Sequence, residues 1–228
     1  MTQKLKNKGK VDVHLIAHSD PKLSVSEQYR SIRTNIQYSS VDKQIKSIMI
    51  TSPEASDGKS TTAANLAIVL AQQGESVLLV DADLRRPTVH YSFNISNLLG
   101  LTSVLTKKMS LEQVVSRTSI PNLSILTSGP IPPNPSELLD SKAMVKMMKE
   151  MQDMFEYVVF DTPPVLAVTD PQIIANKCDG VVIVVSSGKT HKDEALKAKD
   201  LLIKAQAKLL GVVVNRVEVS KNEYYSPI

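Results

Sequence analysis

Near-continuous apolar runs recur along the chain, spaced so that a helix fits between one and the next. Ile48–Ile50, the runs within 76–81 and 156–161, Gly180–Val185 and Leu210–Asn215 are all too short for helices. Their apolar residues do not alternate with polar ones, so they predict strands buried on both faces, as in a parallel sheet covered by helices. A further strand is expected at Leu123–Leu126. Between these runs the period lengthens. Over residues 24–38, Val25, Tyr29, Ile32 and Ile36 return at helical spacing, with Ser24 or Ser26 placed to cap the start. Residues 60–73 offer Ala63, Ala64, Leu66, Ala67 and Leu70 for close packing on a sheet, and Gly74 supplies a stop. Shorter helices are expected at Ser110–Arg117 and from Asn134-Pro135-Ser136-Glu137, where proline suits the first turn. Lys142–Met154 and Lys192–Gln206 complete the set. In the former, Met144, Met147, Met148, Met151 and Met154 read as core filler. Residues 129–135, GPIPPNP, hold four prolines, which excludes regular structure there. This alternation predicts an α/β fold with a mostly parallel central sheet, right-handed crossovers and helices on both faces.

Length allows one domain with a sizeable core, expected over residues 21–217, between a basic flexible tail at 1–20 and a flexible tyrosine-containing tail at 218–228. A hydrophobic share of 42% and a charged share of 22% fit an ordinary soluble globular protein. No apolar run reaches the roughly 18 residues of a membrane span, and no signal-peptide pattern opens the sequence. The single cysteine, Cys178, excludes an internal disulfide and fits a reducing cytosol. A net charge of +4, with no tryptophan and no basic stripe, argues against a nucleic-acid partner. Lys4, Lys6, Lys8 and Lys10 crowd the start. A solvated tail is the plain reading; a weak contact with an anionic membrane, at most ~1 kcal/mol per lysine, is the sharper one.

The candidate chemistry lies at the strand ends, where parallel sheets place their ligands. After Ile48–Ile50 comes the loop that closes on Gly58-Lys59-Ser60-Thr61, the second half of a phosphate-binding P-loop. In such loops backbone N–H groups converge on an anion, the lysine reaches the β/γ-phosphates and the next hydroxyl ligates Mg²⁺. Pro53 stands where the full pattern has its first glycine. The next strand ends in Asp81, followed by Asp83; a later one ends in Asp161, in the form of a Walker B element. Asn215-Arg216 closes the last strand, where a base could be contacted. Glu27, Arg30 and Arg33 fall mostly off the apolar stripe of the first helix, and from pattern alone they are intrahelical ion pairs worth a few tenths of a kcal/mol. Tyr224 and Tyr225 lie in a tail with no apolar pattern to bury them.

With these pieces in place, the sequence resembles the bacterial tyrosine kinases of capsule and exopolysaccharide synthesis, which are related to the deviant P-loop ATPases of the Min and Par type. The resemblance runs from about Ser26 onward. It is carried by Glu27-x-x-Arg30-x-x-Arg33, Gly58-Lys59-Ser60, VLLVDADLRRP at 77–87, TSGPIPPNPSELL at 127–139 and VVFDTPP at 158–164. It implies a P-loop NTPase-like fold and an autophosphorylating protein tyrosine kinase that uses ATP and Mg²⁺. Lys59, Asp81, Asp83 and Asp161 would be catalytic, with Asp83 as the base or orienter for the attacking tyrosine. Asp57, Gly58, Lys59, Ser60, Thr61, Asn215 and Arg216 would bind nucleotide, and Ser60, Asp81 and Asp161 would hold the metal and its waters. Tyr224 and Tyr225 would be phosphoacceptors, and Glu27, Arg30 and Arg33 would close a ring-like homo-oligomer. The implied partners are a membrane-embedded activator with a cytoplasmic tail, a cognate tyrosine phosphatase and other protein substrates. The kinase would then be cytoplasmic, peripheral at the inner face of the membrane through its activator.

Two features set alternatives beside this. The family reads P-G-x-G-K-S, and here Ala55 and Ser56 occupy the first two positions. A glycine in a phosphate nest commonly has positive φ, where serine costs about 1–2 kcal/mol, so either the loop relaxes or nucleotide binding suffers. A nucleotide-binding scaffold without kinase activity is thus one alternative. A Min/Par-type ATPase switch is the other, although that class carries an extra lysine early in the loop, where Glu54 stands here.

Overall fold

The computed structural model describes residues 14–39 and 44–218. In chain order the elements are α1 (Ile16–Ser19), α2 (Ser24–Tyr38), β1 (Ser47–Thr51), α3 (Lys59–Ala71), β2 (Val77–Asp81), α4 (Val89–Ser92), α5 (Leu101–Leu105), α6 (Leu111–Val114), β3 (Ser116–Arg117), β4 (Leu123–Leu126), α7 (Pro135–Asp140), α8 (Lys142–Met154), β5 (Tyr157–Asp161), α9 (Asp170–Ala175), β6 (Gly180–Ser186), α10 (Lys192–Lys204) and β7 (Leu209–Asn215). The strands form one sheet in the order β3-β4-β2-β5-β1-β6-β7, parallel except where the two-residue β3 runs antiparallel to β4.

Apolar residues leave the sheet alternately to its two faces, and each face is covered. One core cluster joins Ile48, Ile50, Val77, Leu79 and Val159 to α3 and to Ala17, Tyr29 and Ile36 of α1 and α2. The other joins Met49, Leu78, Val80, Val158 and Phe160 to Leu101, Leu111, the α8 methionines, Ile174, Ala198 and Leu202. Residues Thr62–Ala71 of α3 are all buried, because the helix lies between the sheet and the α1–α2 pair. Its small residues permit that close approach on every side.

Several expectations shift. Val25 is exposed (42%), and Ser26 takes the first inward position of α2. Its hydroxyl donates to the carbonyls of Ile16 and Asp20, which rules it out as the cap; the N-cap is Leu23, with no side-chain bond. Of the span 1–20, expected as a flexible tail, residues 1–13 lie outside the described residues. Residues Ile16–Ser19 form a helical turn with Ala17 buried, and the Ala17 N–H donates to Asn65 Oδ1 of α3. The helix expected over Ser110–Arg117 closes after one turn. Val115 is extended at φ −70°, ψ 126°, and Ser116–Arg117 pair with β4 instead, a local choice that suits the β-branched Val115. Met154, at the end of α8, is exposed, unlike the four methionines before it. Among the described residues no helix is long and apolar enough to cross a membrane.

Candidate functional site

Strands β1, β5 and β2 are neighbours at the middle of the sheet, and their carboxyl ends bring the site together. Register places Asp81 directly opposite Asp161, and Ile50 beside Asp161 on the other side. Beyond β1 the chain turns through residues 52–58 into α3, whose N-cap Gly58 is left-handed at φ 102°. A Cβ there would lie 2.0 Å from Asn215 Nδ2, so the position requires glycine for space as well as for φ. Ser60 and Thr61 stand in the first turn of α3, among the N–H groups that have no intrahelical acceptor. Ser56 is left-handed too, at φ 66°. The loop does not relax; the serine sits in glycine's conformation.

The Lys59 ammonium lies in a carboxylate cluster. Its Nζ is 3.1 Å from Ser60 Oγ, 3.2 Å from Asp83 Oδ2 and 3.3 Å from Asp161 Oδ1. Burial alone would lower the pKa of Lys59, but Asp161, Asp83 and Asp81 outweigh it and hold the pKa above its ordinary value. Burial raises the pKa of Asp161. Burial, and then the Asp161 charge, push Asp81 up to about 8. Three acidic groups thus face one ammonium.

The carboxylates differ in their bonding. Asp81 Oδ2 accepts the N–H groups of Thr88 and Val89, both at 3.0 Å, so this side chain anchors the loop that leads to α4. Asp83 Oδ1 accepts from Arg86 N at 2.9 Å and Arg85 N at 3.3 Å. Asp161 Oδ2 is buried and has no hydrogen-bond partner among the described residues. That orphaned oxygen, the excess negative charge and the nearby Ser60 hydroxyl suit a divalent cation. No cluster of three or more His, Cys, Asp or Glu among the described residues would hold a metal unaided. Mg²⁺ does not need one, since it is usually held by one or two carboxylates together with substrate phosphates and water.

Asp57 is buried and turned into its own loop, where Oδ2 accepts from Glu54 N at 3.1 Å. Asn215 Nδ2 donates to Asp57 O at 3.1 Å, which places the end of β7 against the phosphate loop. Arg216 is exposed, and its N–H donates to Asn215 Oδ1. Both border a cleft of about 720 Å³ between α2 and β7, lined also by Tyr29 and Thr62.

The helix motif is engaged within its own chain. Arg30 pairs with Glu27 and also donates to Pro21 O at 2.8 Å. Arg33 Nη1 donates at 2.9 Å to Val69 O, one of the last-turn carbonyls of α3, so it serves as a charged cap at that helix's negative end. Arg33 Nε is buried without a hydrogen-bond partner among the described residues. Tyr224 and Tyr225 lie outside the described residues.

Sequence reasoning missed two groups. Lys189, in the loop after β6, donates to Ala55 O at 2.6 Å and pairs with Asp57 Oδ1 at 3.0 Å. A lysine three residues past a buried strand's carboxyl end was the available signal. Arg85 makes a two-pronged pair with buried Asp170 at 2.8 and 3.1 Å, and Ser136 Oγ adds a bond to Asp170 at 2.6 Å. This ties the DADLRRP segment to α7 and α9, and nothing in the spacing of residues 85, 136 and 170 announces it.

A family model described as an AAA domain matches residues 45–204. The chain is 55% identical over 221 residues to the tyrosine-protein kinase YwqD of Bacillus subtilis, covering 96% of this chain and 93% of that protein. Among solved structures, the chimerical protein CapA2B2 superposes with a TM-score of 0.86 at 46% identity, covering 89% of each chain. The kinase domain of Escherichia coli tyrosine kinase ETK does so with a TM-score of 0.88 at 30% identity, covering 98% of this chain and 87% of that one.

Proposed function

The chain belongs to the bacterial tyrosine kinases of capsule and exopolysaccharide synthesis, and from that membership we propose how its site works. The Gly58–Thr61 segment receives the phosphates of ATP, and Lys59 neutralises charge on the β/γ-phosphates. Asp161 and Ser60 would hold Mg²⁺, with Asp81 bracing the site from the adjacent strand. Bound there, the metal would supply positive charge against the negative charge that develops during transfer.

The observation that carries this reading is the position of Lys59, bonded to Asp83 on one side and Asp161 on the other. When Lys59 turns to phosphate, Asp83 Oδ2 loses its cation and gains an open lone pair. It can then accept the proton of a tyrosine hydroxyl as that oxygen attacks phosphorus. Asp83 Oδ1, fixed by two backbone N–H groups, keeps the carboxylate aimed. Catalysis on this account is positioning and charge neutralisation, with no covalent enzyme intermediate. Asn215 and Arg216, at the cleft beside Thr62, would border the base.

The acceptors on this reading are Tyr224 and Tyr225 of a neighbouring copy in a ring-like oligomer, together with other protein substrates. A membrane-embedded activator would hold the kinase at the inner face of the membrane, and a cognate phosphatase would reset it. The helix contact between copies would be made by Glu27, Arg30 and Arg33. The Min/Par alternative lacks its early lysine, and Glu54 occupies that place.

Transfer of labelled γ-phosphate from ATP to tyrosine, with and without the activator's cytoplasmic tail, tests the proposal. Lys59→Ala should abolish transfer, and Asp83→Asn and Asp161→Asn should cut it at least a hundredfold, all with unchanged circular dichroism. Wild-type transfer by a folded Lys59→Ala protein would reject the assignment, and ATP hydrolysis without tyrosine transfer would favour the Min/Par reading.

A further inference from the structure

Ser56 holds φ 66°, in the left-handed region that serine occupies only under constraint. Such a residue persists where its surroundings over-determine it, and the restraint here can be named. Lys189 Nζ donates to Ala55 O on one side of Ser56 and to Asp57 Oδ1 on the other, at 2.6 and 3.0 Å. One ammonium therefore spans the turn. The opposite oxygen of Asp57 accepts from Glu54 N, and the Asp57 carbonyl accepts from Asn215 Nδ2.

Lys189 is itself fixed. Its N–H donates to Ser186 O, the adjacent Thr190 Oγ1 accepts from Ser186 N, and Ser187 N donates to Asn215 O. A tight turn at the end of β6, with Gly188 at φ 70°, thus carries the lysine and is pinned to the same β7 terminus that supports Gly58. The Asp57 side chain is fully buried, whereas that of Lys189 is 38% exposed, so the cation closes the loop from its outer side.

We propose that Lys189 is a positioning residue for ATP binding, a clamp that holds Ser56 in the left-handed turn a glycine would adopt freely. This rests on the reading of Gly58–Thr61 as the phosphate site. The clamp acts through the loop and touches neither phosphate nor tyrosine. A backbone that needs the clamp at Ser56 would need it far less with glycine there, and that difference separates a turn-holding role from a mere contribution of charge or stability.

The test is calorimetric ATP binding, in Mg²⁺ buffer, by the full-length wild type, Lys189→Met, Ser56→Gly, the double variant and Lys189→Arg. Lys189→Met should weaken ATP about tenfold. The same change in the Ser56→Gly background should cost about twofold or less, and Lys189→Arg should restore binding to within about threefold of wild type. In the kinase assay Lys189→Met should raise KM for ATP while kcat changes little. Should Lys189→Met fail to fold because Asp57 is left buried without its cation, Lys189→Gln carries the same comparison. Its shorter amide can reach Asp57 or Ala55 but cannot bridge them. Equal affinity of wild type and Lys189→Met overturns the clamp, and so does an equal loss in both backgrounds. Absence of ATP binding by wild type and Ser56→Gly alike overturns the phosphate-site reading and the clamp with it.

Discussion

Replacing Asp81 by asparagine should make the protein more stable while it destroys activity. In the ligand-free protein the Asp81 carboxyl is fully buried opposite Asp161, and its pKa rises from 3.8 to about 8. The sign of the effect follows from proton counting. Between about pH 4 and about pH 8 the folded chain keeps a proton that the unfolded chain has lost, so stability falls as pH rises through that window and levels off above it. At roughly 1.4 kcal/mol per pH unit, the loss near pH 7 amounts to about 4 kcal/mol as an upper bound. Asparagine mimics the protonated acid. Its carbonyl can still accept from Thr88 N and Val89 N, the two strong bonds of the aspartate, and only the 3.3 Å contact from Asp83 N is lost. Allowing for that loss, Asp81→Asn should gain about 1–3 kcal/mol near pH 7, and the gain should vanish near pH 4. Urea unfolding across pH, without nucleotide or Mg²⁺, measures it. A variant no more stable than wild type at pH 7, or equally stabilised at pH 4 and 7, would refute the electrostatic argument.

Other substitutions probe the frame around the site. Arg85→Ala leaves the buried Asp170 carboxylate with Ser136 alone and should cost about 2–4 kcal/mol in urea unfolding; a loss below about 0.5 kcal/mol would mean that solvent replaces the guanidinium. Arg33→Ala uncaps α3 and should lower stability by about 1 kcal/mol, with faster hydrogen exchange at the end of that helix and nowhere else. Gly58→Ala, strained at φ 102° and 2.0 Å from Asn215 Nδ2, should lose ATP binding by calorimetry. Adding Asn215→Ala should not recover it fully, because space is restored and backbone conformation is not.

The strands were the most legible part of the chain, since Val77–Asp81 and Tyr157–Asp161 are fully buried on both faces and such segments must be apolar throughout. For the same reason their terminal aspartates stood out. Helix α2 was bounded correctly, but its inward face was misjudged at the first turn. The hydroxyl of Ser26 is satisfied by two carbonyls, that of Ile16 in α1 and that of Asp20 just after it, and hydrophobic periodicity cannot register a polar residue in a core position. Lys189 and the Arg85–Asp170 pair escaped for a related reason, because they act between segments remote in sequence, and only the fold brings their charges together. Ser56 was flagged by its departure from a glycine, and its φ of 66° is the left-handed conformation that the departure pointed to.

The position of β7 has a consequence for the response to heat. Strands β1, β2 and β5 are each paired on both sides and should open only with the whole fold. β7 is an edge strand with Val212 and Val214 more than half exposed, and fraying from an edge needs far less free energy than global unfolding. Its last residue, Asn215, fills the space beneath Gly58 and holds the Asp57 carbonyl. On warming, nucleotide affinity should therefore fade while circular dichroism still reports an intact protein, and it should return at once on cooling. A melting temperature alone would thus overstate the temperature up to which the kinase binds nucleotide well.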